Sequence, residues 1–189
     1  MFARTPRLIL RPGWKEDAPA LAAALDDYAV VEKLGQLRWP FGIAEAEALL
    51  AQDHGALPNF LIFARTHGAP RLVGGIGLSP AANDVELGYW IARPYWGLGF
   101  ATEAGRAVTD IADHSLRLPS LVAGHFCDDP ASARVLAKLG FEATGEVASV
   151  RYRARGSVEV SHRYVRRAGA NGQSSSARIG YDREDALAA

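Results

Sequence analysis

The chain has 189 residues, 49% of them hydrophobic and 22% charged, which is one ordinary domain with enough apolar surface for a core. Lys+Arg and Asp+Glu balance at 21 each, so no net field draws it to nucleic acid or to an anionic membrane, and neither partner is expected. The one cysteine, Cys127, cannot form an internal disulfide, no Cys/His cluster has zinc-ligand spacing, and the first residues lack a signal-peptide core; a reducing cytoplasm and no metal fit best.

In chain order, "RLILRP" (7–12) reads as a strand ended by Pro12, and "KEDAPALAAALDDYAVVEKLG" carries apolar residues at helical spacing up to Gly35, predicting one or two helices. "LRWPFG" (37–42) is an aromatic loop, and "IAEAEALLAQDHG" a short helix ending at Gly55. Strand-like runs at 59–65, 71–79 and 85–92, separated by turn residues, predict an antiparallel meander. The helix "ATEAGRAVTDIADHSL" puts Ala101, Ala104, Val108, Ile111 and Ala112 on one stripe, and the strand 120–126 follows, an order that permits a parallel crossover. "DDPASARVLAKLGF" predicts a helix with Asp128 or Asp129 as N-cap, Pro130 in its first turn and Gly140 as its stop. Two last strands flank Gly156. The apolar pattern ends near Gly169, so 1–168 reads as one domain and 169–189 as a disordered tail.

The chemistry concentrates in "YWGLGFATEA" (95–104), where two glycines separate a strand from a helix. The first N–H groups of a helix have no partners and its dipole favours an anion, and Gly97 and Gly99 would let a phosphate approach the backbone. A tight turn without a ligand explains two glycines equally well. A Walker-type loop would need a lysine, and Thr102 stands where a dinucleotide GxGxxG needs its last glycine.

"VELGYWIARPYWGLGFATEA" resembles the coenzyme A-binding segment of the GNAT N-acetyltransferase superfamily, most closely its RimJ/RimL type. "TPRLILRPGWKEDAPALAAAL", "LRWPFGIAEAEALLAQ" and "DPASARVLAKLGF" resemble further segments of that family, in order, so the likeness spans roughly residues 5–167. The resemblance implies a mixed α/β (α+β) fold, with a mostly antiparallel central sheet and helices on both faces, and acetyl-CoA as cosubstrate. It implies that Trp96, Gly97, Leu98, Gly99, Phe100, Ala101 and Thr102 surround the pyrophosphate and that the main chain of Trp90, Ile91 and Ala92 follows the pantetheine arm. Arg134, just inside the helix after Ser132, is placed to reach a coenzyme phosphate, with surface solvation as the equal alternative. Trp96 departs from the family's Gln or Arg, and Asp129 from its Asn. An ionised carboxylate cannot donate to a pantetheine carbonyl as an amide can, which favours Asp129 as an N-cap over a coenzyme contact. Ser132 matches the family serine beside the arm, where it would protonate the departing thiolate or position the sulfur; back-bonding to the cap is the equal alternative.

Acetyl transfer to an amine needs somewhere for the amine proton to go, and Glu86, alone among apolar neighbours in "VELGYWIA", is the candidate base. Solvation near a strand start is its bland alternative. Trp39 and Phe41 are candidates for the acceptor pocket. Cys127 reads as a small core residue rather than a nucleophile, and the alternating Arg151, Arg153 and Arg155 as one solvated face, with Arg163, Arg166 and Arg167 not far along the chain. The expected reaction is direct attack of an amine on acetyl-CoA in a ternary complex, with a protein N-terminal α-amine as first choice of acceptor. A small-molecule amine is the alternative, and a non-catalytic acyl-CoA sensor is the different class that Trp96 and Asp129 keep open. Oligomeric state stays open too.

Overall fold

The computed structural model describes residues 1–66 and 68–170. The elements run β1 (Ala3–Arg4), β2 (Leu8–Arg11), α1 (Ala18–Leu25), α2 (Tyr28–Val31), α3 (Ile43–Leu50), β3 (Asn59–Ala64), β4 (Arg71–Ala81), β5 (Asp84–Ile91), α4 (Phe100–Asp110), β6 (Ser120–Phe126), α5 (Pro130–Lys138), β7 (Glu142–Tyr152) and β8 (Ser157–Arg167). They form one mixed sheet in the order β1-β2-β3-β4-β5-β6-β8-β7. All its neighbours pair antiparallel except β5 and β6, which α4 links by the crossover that a parallel pair requires. The predicted mixed, mostly antiparallel sheet is the one observed.

Each face of the sheet buries its own core because strand side chains alternate. Leu8, Leu10, Val73, Leu87 and Leu121 meet Ala104 and Val108 of α4, Ala112 just beyond its end, and Leu136 of α5 on one face. Leu61 and Phe63 meet Leu21 and Leu25 of α1, Val31 of α2 and Ala46 of α3 on the other. Helices therefore cover both faces. On β5 this alternation sends Leu87, Tyr89 and Ile91 toward α4 and α5, and Trp90 toward the first three helices.

Several expectations need correction. α3 stops at Leu50, short of Gly55. Cys127 is exposed rather than core, with Sγ 3.4 Å from the Val160 carbonyl and 3.1 Å from His162 Nε2, because β6 ends one residue earlier at Phe126. Of the three alternating arginines, Arg151 and Arg153 are exposed as expected, but Arg155 leaves that face, because β7 ends at Tyr152 and the strand alternation ends with it. Arg155 instead turns back to the Glu32 carbonyl at 3.1 Å and the Asp128 carboxylate at 3.2 Å, and lies over the Phe126 ring. Arg166 is buried: it donates twice to Asp113, at 2.8 Å each, and once to the Leu139 carbonyl at 3.0 Å. Asp113 sits in the π turn Ile111–Ser115 that extends α4.

The chain beyond β8 is still attached at Gly169, whose N–H donates to Asp113 at 3.2 Å. The tail expectation otherwise falls on residues 171–189, outside the described residues, as does His67. No helix among the described residues is long and apolar enough to cross a membrane.

Candidate active site

The parallel pair β5 and β6 is registered only at Glu86↔Val122. Beyond that point β5 runs on to Ile91 and β6 to Phe126 without pairing to each other, so the sheet opens into a cleft of about 790 Å³. One wall is the glycine turn and the start of α4, a second is α5, and the third is the end of α2 with the tip of β7. Residues far apart in sequence meet here because a parallel pair is splayed at its C-terminal ends, the usual place for ligands in open sheets.

The turn takes the conformation that glycine permits: φ is +76° at Gly97 and +79° at Gly99, the left-handed region that a Cβ disfavours. Among the described residues none of the N–H groups from Gly97 to Thr102 donates to a protein acceptor; the first bond into the turn is Glu103 N–H to the Gly99 carbonyl at 3.0 Å. This is a cluster of free donors at the positive end of an eleven-residue helix.

A clamp absent from the sequence reading fixes the turn. Glu103 accepts from Thr5 Oγ1 at 2.6 Å, from Arg7 N–H at 2.9 Å and from Arg7 Nε at 2.6 Å. Arg7 Nη1 also donates to the Leu98 carbonyl at 2.9 Å, and its guanidinium lies 4.8 Å from the Phe100 ring centroid. Burial alone would raise the Glu103 carboxyl, but the Thr5 and Arg7 donors outweigh it and hold it below the usual carboxylate range. Nothing local marks Arg7, which β2 brings to the turn.

Trp96, the family departure, donates its indole N–H to the Ile91 carbonyl at 2.6 Å, while Ala92 N–H is bonded to the Val73 carbonyl. Two main-chain groups assigned by resemblance to the arm are thus engaged within the protein. Trp90, Ile91, Trp96, Gly97, Gly99, Phe100, Ala101, Thr102 and Arg134 line the cleft, with Lys138 one turn beyond Arg134; Ala92 and Leu98 do not. Trp39 and Phe41 also lie outside its lining: Phe41 is packed in the core, and Trp39 stands edge-on to Tyr28 on the surface.

At the start of α5, Asp129 accepts from Ser132 N–H at 3.2 Å and from Ser132 Oγ at 2.9 Å. Lys33 reaches across from the end of α2 to 3.4 Å from the Asp129 carboxylate and 5.2 Å from the Trp96 ring centroid. Burial pushes the Asp129 carboxyl up, but the Ser132 bonds and the Lys33 ammonium more than offset this and keep it low. Asp129 is an N-cap that also closes an ion pair across the cleft. Lys33 carries no sequence signal, because only the fold brings α2 opposite α5.

Glu86 stands at the vertex of the opening. It is half-buried, and among the described residues its carboxylate has no hydrogen bond or ion pair. Gly124 opposite supplies no side chain: a Cβ there would come within 3.8 Å of Glu86 Oε1. Burial raises the Glu86 carboxyl, opposed in part by the charge of Arg163, whose own hydrogen bond goes to Asp84 at 2.6 Å. Tyr152, which shares the cleft, is pushed up to about 12, by burial first. No metal-ligating cluster occurs among the described residues.

Residues 7–142 match the family described as "Acetyltransferase (GNAT) domain". The Bacillus subtilis (strain 168) protein named as the uncharacterized N-acetyltransferase YoaA is 28% identical over 156 residues, spanning 78% of this chain and 86% of that protein. The ribosomal-protein-S5-alanine acetyltransferase of Vibrio fischeri superposes with a TM-score of 0.75 at 18% identity, over 89% of this chain and 97% of the other. RimJ of Mycobacterium smegmatis, solved in complex with CoA-disulfide, does so with 0.71 at 21% identity, over 85% and 82%. A chain with this sheet, this opening and this match over most of its length belongs to the GNAT family and is an N-acetyltransferase.

Proposed function

We propose that the protein transfers the acetyl group of acetyl-CoA directly to a protein N-terminal α-amine in a ternary complex, with Glu86 as the base. The observation that carries this reading is the single cleft in which an unpaired carboxylate at the vertex of a splayed strand pair faces a row of free N–H groups at a helix start. The free donors from Gly97 to Thr102 suit a pyrophosphate, and Arg134 and Lys138, one turn apart on α5, suit a further phosphate at the rim. The amine nitrogen attacks the thioester carbon, the C–S bond breaks, Glu86 takes the amine proton through water, and the thiolate is protonated from solvent. The Ser132 hydroxyl is committed to Asp129, so its role in this scheme is to position the arm rather than to deliver a proton.

An α-amine has a pKa near ~7.7–8 against ~10.4 for lysine, so one half-buried carboxylate suffices to capture its proton. The name of the Vibrio fischeri protein, a ribosomal-protein-S5-alanine acetyltransferase, supports a protein acceptor. The test is titration with acetyl-CoA followed by thiol release with N-terminal peptides, N-acetylated lysine peptides and small amines. The expected result is saturable binding and turnover on free N-termini. Turnover only on small amines would overturn the acceptor, and tight binding without any turnover would point to a sensor.

A further inference from the structure

The Tyr89 hydroxyl is, among the described residues, the one buried side-chain polar atom without a hydrogen-bond partner. Tyr89 lines the cleft on the α5 side, where the Ser132 hydroxyl faces it without meeting hydrogen-bond geometry. The neighbouring polar groups are already used: both Asp129 oxygens accept from Ser132, and Lys33 is paired to Asp129. A buried hydroxyl left unmade costs stability, and such a group in a cleft wall marks a place where a ligand supplies the missing partner.

We infer that Tyr89 is a coenzyme-binding residue whose hydroxyl donates to an amide carbonyl of the pantetheine arm. The inference rests on acetyl-CoA being the ligand of the cleft. The phenol, which burial above all pushes up to about 12, keeps its proton, so the hydroxyl has an O–H to donate, and the carbonyls are the acceptors that the arm offers it. It also supplies on the β5 wall the neutral donor that a carboxylate at position 129 cannot be. The arm carries two amide carbonyls and no charge, which suits a neutral hydroxyl in an apolar wall.

The test is Tyr89→Phe, which keeps the ring that packs in the core. Binding of CoA, acetyl-CoA and adenosine 3′,5′-bisphosphate, which lacks the arm, is measured by calorimetry, alongside thermal melting of the free proteins. We expect both coenzyme forms to bind roughly ten-fold more weakly. The bisphosphate should bind as it does to the wild type, and the free variant should melt at the same or a higher temperature, since no bond is lost in it. Unchanged coenzyme affinity, an equal loss for the bisphosphate, or a lower melting temperature of the free variant would each overturn the assignment. Loss for acetyl-CoA but not CoA would move the contact to the thioester and overturn the amide. Failure of the wild type to bind either coenzyme form would sink the coenzyme reading itself.

Discussion

At the scale of single residues, Glu86 is where stability and activity pull apart. Its carboxyl is raised above 4.5 by burial, so the folded state favours the protonated form more than the unfolded chain does. The stability it contributes is complete below the unfolded pKa and is lost as pH rises through the folded one. Glu86→Gln should therefore melt higher than the wild type at neutral pH and nearly with it below 4.5. On the proposed mechanism the same variant loses about 10²-fold in kcat/KM, together with the acid limb of the pH–rate profile, which in the wild type falls as Glu86 is protonated. Unchanged turnover with an unchanged limb would move the base elsewhere.

At the scale of elements, the glycine turn is a local solution held by a distant strand. Gly97 and Gly99 permit its left-handed steps, but the turn is fixed to the sheet by Thr5 and Arg7 through Glu103. Arg7 is about half exposed, so the ionic part of the clamp is screened and its hydrogen bonds carry most of the effect. Glu103→Ala should cost about 1–2 kcal/mol in urea unfolding. Its distinctive mark is a several-fold higher KM for acetyl-CoA with little change in kcat at saturating coenzyme. A clamp that only stabilised the fold would leave KM unmoved.

At the scale of the whole molecule, the Asp113–Arg166 pair ties the π turn after α4 to β8. Arg166 is 1% exposed and also reaches the Leu139 carbonyl past the end of α5, so one side chain holds three elements. Breaking a buried pair on one side leaves the other charge uncompensated, and Arg166→Ala should destabilise by about 3–5 kcal/mol. The Arg166 hydrogen bonds, chiefly, hold the Asp113 carboxyl below its ordinary 3.8. Such a group stabilises above its unfolded pKa, and the contribution is lost as pH falls through the folded value. The gap between wild type and variant should be full at neutral pH and should narrow in acid below 3.8, as followed by urea midpoints.

Sequence alone determined those features that depend on neighbours along the chain. Strand alternation, the caps Asp129 and Gly140 of α5, and the two glycines of the turn are local chemistry, and they were legible with the order of elements. Resemblance then carried the family, because four segments in order constrain more than one motif does. Only the tertiary structure decided what stands across the cleft: Lys33 opposite Asp129, Arg7 beneath the turn, and Tyr89 facing Ser132 with no partner. It also turned Arg166 inward, bent Arg155 back from a broken alternation, exposed Cys127 and buried Phe41. The reason is geometric. Helical and strand periodicity say which face a side chain is on, whereas the splay of β5 from β6 brings together side chains whose positions in sequence carry no record of each other.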